Sequence, residues 1–377
     1  MAEKIKILQM TSDLDFGGAE TMIVDIVENI DKEKFEVVVC CINKKGSLGE
    51  DLAKKGYKLY EARKEIKKQS YYSLAKRIKE IIKLEQPDIV HSHCDSALID
   101  IGPIYTLNRS LPPLIHTFHF GNYPHIAKKY IYLQMLFTKF VTQLVAVGTN
   151  QKQRIVETMK LNPNRIHTLL NGVSNNEFID DQENINRIKD ELNIARDELV
   201  IGCVAVLTDQ KGIDDFIKAC GLLKDNYPKT KWVVVGSGPL LDDLKTLAGE
   251  LNLSDFVIFA GWRSDVKNIL PIFDIYVIPS LWEAMSISLL EAMAAKRAIV
   301  ATEVGENSKV IAHNQSGLIV QPGNLGEIVT SIEALLKDEE KRSAFAENAY
   351  DDYINKYSVQ CMVDNYSDLY SKVYDQQ

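Results

Sequence analysis

The sequence predicts an α/β protein made of two doubly wound, Rossmann-like parallel sheets. Three observations carry that prediction. At 377 residues the chain exceeds what one hydrophobic core sustains, since cores split beyond roughly 250–300 residues. Short runs rich in β-branched residues recur, each followed by a helical pattern, and they fall into two series. The runs are apolar almost throughout rather than alternating, as strands covered on both faces by crossover helices must be.

In chain order, the first series places strands at 5–10, 35–42, 88–91, 114–118, 144–147 and 166–170. Asn171-Gly172 closes it as a turn, and the polar stretch 174–196 reads as the junction. The second series places strands at 199–206, 231–235, 256–259, 275–278, 298–301 and 318–320. The expected division is therefore 1–178 and 179–357. The last segment, 358–377, repeats apolar residues at helical spacing (Val363, Tyr366, Leu369, Tyr370 and Val373) and has no strand after it. It is expected to be a helix that packs back on the first domain.

Composition narrows the function. Lys and Arg total 44 against 52 Asp and Glu, a net charge of −8, which argues against a nucleic-acid partner. The charge is unevenly spread: residues 1–180 carry 25 Lys and Arg against 21 Asp and Glu, and the remainder carries 19 against 31. The opening MAEKIKILQM does not read as a secretory signal, and no run reaches the roughly 18 apolar residues of a membrane span. None of the six cysteines (Cys40, Cys41, Cys94, Cys203, Cys220, Cys361) forms a CxxC pair, so zinc and thioredoxin-like readings fail. Reduced thiols in a cytoplasmic protein are the expectation.

Ligands of such sheets bind beyond the carboxyl ends of strands, and with two sheets a cleft between them is the expected site. Five loops follow strands. The first, 12–20, holds Gly17 and Gly18 ahead of a helix, where backbone N–H groups can approach an anion or simply make a turn. Its Asp13-Leu14-Asp15 has DxD spacing but reads as loop carboxylates rather than a metal site. In the second, His119 ends the strand HTF and faces opposite to His116, free to act as a donor or an acid/base. A structural role is the alternative, as for His91 and His93. The third, Thr208–Gly212, offers Lys211 as a point charge for phosphate. The fourth is the strand-to-helix turn Gly236-Ser237-Gly238-Pro239. The fifth places Glu283 in a loop and Glu291 two helical turns later, with the N–H groups of Met285, Ser286 and Ile287 at the helix start. Such donors suit phosphate, and two carboxylates suit sugar hydroxyls.

The run SLWEAMSISLLEAMAAKRAIVAT resembles the signature region of the retaining, GT-B fold family 4 glycosyltransferases (glycosyl transferases group 1). FGGAE, HTFHFG, NGV at 171–173, DQKG at 209–212, GSGP at 236–239 and SGLIVQPGN at 316–324 extend the resemblance, in order, over almost the whole chain. It implies transfer with retention from a UDP- or GDP-sugar, held mainly by the second domain, to a sugar or lipid-linked acceptor on the first, in cell-surface polysaccharide or glycolipid assembly. Gly17 and Gly18 would approach the pyrophosphate, and Lys211 would bind it. Gly236 belongs to the same donor site. His119 would stand beside the sugar, Glu283 and the groups at Met285, Ser286 and Ile287 would hold it, and Glu291 would bind the ribose. No cofactor or metal is implied.

Three positions depart from the family pattern. Val206 stands where an arginine is expected, Ala284 and Ser286 alter the turn after Glu283, and Lys309 replaces a glutamate, with Glu306 nearby but out of register. Val206 and Lys309 keep open a catalytically degenerate binding or scaffold subunit; a nucleotide-sugar epimerase is the further alternative. Lysines and aromatics interleave in 54–83 and again in 123–140, a pattern for peripheral contact with an anionic membrane surface or for an ordinary solvated helix face.

Overall fold

The computed structural model describes residues 4–15, 17–63, 70–108, 110–119, 128–174, 178 and 181–377. The chain divides into two compact units, Met1–Gly172 with Val359–Gln377, and Val173–Ser358. The break falls at Val173 and not at 178/179. The Val173 N–H donates to the Tyr357 carbonyl at 3.1 Å and its own carbonyl accepts from the Tyr353 hydroxyl at 2.8 Å, which draws it into the second unit.

The first unit alternates β1 (Ile5–Asp13), α1 (Gly18–Asn29), β2 (Phe35–Lys44), α2 (Gly46–Lys54), β3 (Lys58–Glu61), α3 (Tyr71–Glu85), β4 (Ile89–His93), α4 (Cys94–Leu107), β5 (Leu114–Phe118), α5 (Lys128–Phe137), β6 (Gln143–Ala146), α6 (Thr149–Met159) and β7 (Ile166–Thr168). Its seven strands are parallel in the order β3-β2-β1-β4-β5-β6-β7. Period-two alternation sorts the strand residues between two cores. Leu8, Met10, Val90 and Phe118 face α3, α4 and α6, while Ile7, Ile89, Ile115 and Val145 face α1.

The second unit runs α7 (Gln182–Glu191), β8 (Leu199–Val204), α8 (Ile213–Leu223), β9 (Thr230–Val235), α9 (Leu241–Glu250), β10 (Val257–Gly261), α10 (Val266–Ile269), β11 (Ile275–Ile278), α11 (Ile287–Ala294), β12 (Ala298–Thr302), α12 (Asn307–Val310), β13 (Leu318–Val320), α13 (Leu325–Lys337) and α14 (Glu339–Asp352). Six parallel strands lie in the order β10-β9-β8-β11-β12-β13. Both orders reverse where the first strand meets the fourth, the switch point at which such sheets leave room for a ligand.

The terminal helix α15 (Val359–Tyr374) packs on the first unit, burying Met362, Val363, Tyr366, Leu369, Tyr370 and Val373 beside α1. Strand β3 was not among the expected strands. Its sequence KLYE is charged and half-exposed at a sheet edge, so no apolar run marks it.

That edge is pinned by Glu85, the last residue of α3, which is 3% exposed. Its carboxylate takes Lys6 at 3.0 Å, Lys58 at 2.7 Å and the Tyr60 hydroxyl. Burial alone would raise its pKa, but the three donors outweigh burial and bring it down to about 2. With the folded pKa below the ordinary 4.5, this carboxylate stabilises the unit above about pH 5 and loses that contribution as pH falls toward 2. Glu85→Gln is expected to cost on the order of 2 kcal/mol at neutral pH and to flatten the acid loss of stability, as read by urea unfolding at a series of pH values.

Candidate active site

In the first unit, the candidate residues lie at and just beyond the carboxyl ends of β1, β4 and β5. Gly17 is the N-cap of α1 with extended backbone, and Gly18 is its first residue. Glu20 lies in the first turn, complementing the positive helix end; burial raises its pKa, and Asp13 and Asp15 add to the rise. The DxD-like carboxylates are structural. Asp13 accepts from the Asn43 amide at 3.2 Å, and Asp15 pairs with Lys44 and accepts the Ser47 N–H at 3.0 Å in the first turn of α2. Among the described residues no group of three or more His, Cys, Asp or Glu side chains is disposed to hold a metal ion.

His119 follows β5 directly and stacks on His93, ring centroids 5.4 Å apart, with its Nε2 3.1 Å from His93 Nδ1. Gln9, His91, His93, Thr117 and His119 share the sheet face that α15 covers. His93 Nε2 lies 2.7 Å from Gln9 Oε1, and the Gln9 amide nitrogen 2.9 Å from the Tyr370 hydroxyl. That hydroxyl is 2.7 Å from His91 Nδ1, and His91 Nε2 is 2.8 Å from Thr117 Oγ1. Burial drives His91 and His93 well below the ordinary histidine pKa, and each is lowered further by its histidine neighbours. Burial brings His119 to about 3, with His116 adding to the fall and Asp95 opposing it. These rings are therefore neutral.

Cys94, the first residue of α4, holds φ 65, a left-handed conformation that a side chain resists. Burial pushes its thiol far up, so it is no nucleophile. Sequence reading set His91 and His93 aside as structural and passed over Gln9 and Asp95. Their juxtaposition depends on the register of three strands, which no local pattern reveals.

In the second unit, the loops after β8, β11 and β12 are laced around Glu283, which is 9% exposed. Lys211 reaches its carboxylate at 2.5 Å, Ser280 Oγ donates to it at 2.9 Å, and the Gln210 amide spans from the Trp282 carbonyl at 2.9 Å to Glu283 Oε2 at 3.4 Å. The Glu306 N–H donates to the Ala284 carbonyl at 2.9 Å. Gly212, at φ 59, has room for no Cβ because the Pro279 carbonyl oxygen would stand 2.2 Å from it. Gln210 and Ser280 were not singled out in the sequence, although both adjoin residues that were.

Helix α11 begins at Ile287 with Ser286 as N-cap, and the Ser286 side chain caps none of the first-turn N–H groups. Those donors have no helical partner. Met285 and Ser286 are buried in the turn, and Glu291 is half-buried in the second turn of α11. Gly236 is extended to φ 131 against the segment after β8; a Cβ there would lie 1.9 Å from the Ala205 carbonyl oxygen. Close backbone approach therefore accounts for this glycine. Val206 is 62% exposed, leaving bare apolar surface where an arginine was expected. Lys309 is held 3.6 Å from the buried carboxylate of Glu306. Gly17, Gly18 and His119 belong to the first unit, and Lys211, Gly236, Glu283, Met285, Ser286, Ile287 and Glu291 to the second.

The profile of the family described as Glycosyltransferase Family 4 matches residues 16–177, and that of Glycosyl transferases group 1 matches 184–352. The chain is a group 1 glycosyltransferase. Among relatives, the transferase is 28% identical over 301 residues to the UDP-Gal:alpha-D-GlcNAc-diphosphoundecaprenol alpha-1,3-galactosyltransferase of Escherichia coli, covering 77% of this chain and 76% of that one. It is also 28% identical over 245 residues to a Campylobacter jejuni enzyme, N,N'-diacetylbacillosaminyl-diphospho-undecaprenol alpha-1,3-N-acetylgalactosaminyltransferase, covering 64% and 63%. Among solved structures, Anabaena HepE in complex with UDP superposes with a TM-score of 0.85 at 19% identity, over 97% of this chain and 100% of that one. A Rickettsia africae glycosyltransferase gives 0.87 at 22%, over 99% and 100%. The fold is GT-B.

Gly236→Ala in the transferase is expected to cost about 2–4 kcal/mol through backbone strain and the Ala205 clash. Gly249→Ala, in α9 with open space at the Cβ position, is expected to be neutral or to stabilise by up to about 1 kcal/mol. Chemical denaturation of the two variants checks the contrast.

Proposed function

We propose that this transferase moves a hexosyl or N-acetylhexosaminyl group from a UDP-sugar to a lipid-linked acceptor, with retention at the anomeric carbon. The observation that carries the donor assignment is the Lys211–Glu283 pair set beside the uncapped N–H groups of α11. Lys211 is paired with Glu283. A diphosphate arriving there competes for the ammonium and frees Glu283 Oε1 to accept from a sugar hydroxyl. The leaving diphosphate is stabilised by one cation and by peptide dipoles, so the reaction is assigned no resident metal. Glu291 is assigned to the ribose, and His119 to the sugar. The UDP complex of HepE and the diphosphoundecaprenol-linked acceptors of the relatives support UDP and a lipid-linked acceptor.

A panel of UDP-, GDP-, TDP- and ADP-sugars, read by thermal shift, is expected to show stabilisation by one or more UDP-sugars. The absence of any response would overturn the donor assignment. Lys211→Ala and Glu283→Gln are each expected to lower kcat/KM by about 100-fold or more, and NMR of the product is expected to show the donor's anomeric configuration. Val206→Arg, restoring a bidentate phosphate partner, is expected to lower the donor KM by about tenfold.

The first unit supplies the membrane side of this reading. Tyr132 is 69% exposed on α5 beside Lys128 and Lys129, with Leu133 and Leu136 also outward. Tyr71 and Tyr72 open α3, and α3, α4 and α5 pack in one layer. Residues 123–127 and Lys64, Lys67 and Lys68, part of the same basic pattern, lie outside the described residues. No described helix is long and apolar enough to cross a membrane. Binding to vesicles containing phosphatidylglycerol is expected, falling as salt rises, with Tyr132→Ser weakening it several-fold in co-sedimentation.

A further inference from the structure

The buried polar chain behind His119 runs in one sense. The Gln9 side-chain oxygen can only accept, so the 2.7 Å contact from His93 Nε2 requires the proton on that nitrogen. His93 is neutral and has one N–H, so its Nδ1 carries a lone pair. The 3.1 Å contact with His119 must then be donated by His119 Nε2–H. On the other side of Gln9, the amide N–H donates to the Tyr370 hydroxyl. That hydroxyl spends its own proton on His91 Nδ1, which leaves His91 Nε2–H to donate to Thr117. The donors and acceptors match from His119 to Thr117, and all of the residues belong to the first unit.

Turning the Gln9 amide over would reverse the chain. Tyr370 would donate to Gln9, Gln9 would donate to His93 Nε2, and His93 Nδ1–H would donate to His119. The orientation of one amide therefore fixes which nitrogen of His119 carries the proton. Tyr370, from α15, holds that amide in the first sense because the chain beyond it ends on an obligate acceptor: Thr117 Oγ1 lies 3.4 Å from the Tyr366 hydroxyl, which donates to the Met22 thioether sulfur at 4.0 Å.

We propose that Gln9, clamped by Tyr370, is a positioning residue that sets the tautomer of His119, so that this histidine meets a ligand as a hydrogen-bond acceptor at Nδ1. The proposal rests on the reading that His119 faces the donor sugar. It adds what the ring does there: Nε2–H is committed to His93, so His119 has no proton to donate and accepts from a sugar hydroxyl. With two neutral, buried imidazoles behind it, the ring is a weak base, so the proton stays on the hydroxyl and the contact selects without transferring a charge.

The test needs no donor. In the full-length chain labelled with 15N-histidine, long-range 1H–15N correlations report the tautomer of each of the seven histidines, with His93→Asn and His119→Asn providing the assignments. His93 and His119 are both expected as the single Nε2–H form. Tyr370→Phe removes the hydroxyl that holds the amide and keeps the ring in its place; both signals are expected to become mixtures. Gln9→Glu, an obligate acceptor, is expected to keep both as Nε2–H. Gln9→Met, which removes the amide at similar volume, serves if the phenylalanine variant does not fold, and is expected to give the mixture. An Nδ1–H form of His119 in the unaltered protein overturns the proposal. So does a single tautomer persisting in a folded Tyr370→Phe or Gln9→Met variant. Expected tautomers together with a silent donor panel would overturn the donor assignment and leave the relay standing.

Discussion

Every strand in both sheets runs parallel to its neighbours, and the rest of the structure depends on that constraint. Parallel strands cannot be joined by tight hairpins, so the chain must cross a sheet face after each one. The crossings bury the strands on both faces, which makes them apolar. They also gather the strand-to-helix loops at the carboxyl edge, where first-turn N–H groups have no acceptor within their own helix. The polar side chains that could do chemistry are concentrated in those loops because the sheets have little other place for them.

The same constraint explains what was legible in the sequence. Apolar runs marked twelve strands, and β3 escaped because a charged edge strand has no such run. Lys211, Glu283 and the start of α11 could be picked out because each is local: a residue at a loop, or a spacing along one helix. Their mutual contact was not legible, since it joins loops from two strands. The link between Gln9 and His93 was invisible for the same reason. Gln9 is a polar residue in an apolar strand, an anomaly whose meaning appears only when β1, β4 and β5 are placed in register with a helix from beyond the second unit.

The electrostatics of the second unit show why net charge was a poor guide. The half of the chain after residue 180 is strongly acidic, yet the groups around the Glu283 carboxylate are donors: an ammonium, a hydroxyl and a side-chain amide. Glu283 holds this set in place. On the proposed reading, an anion that displaces the carboxylate from Lys211 meets a cation already oriented, with little side-chain entropy left to lose.

Helix α15 closes the first unit after the whole of the second has been made. During synthesis, residues 1–172 leave the ribosome with one sheet face only partly covered, by α1, and with its histidines and Gln9 still lacking α15. The usual order, in which the N-terminal domain folds first and alone, is not available to this chain. The first unit can complete its core only after the second has emerged, so its assembly waits on the other unit even though its sheet is entirely its own.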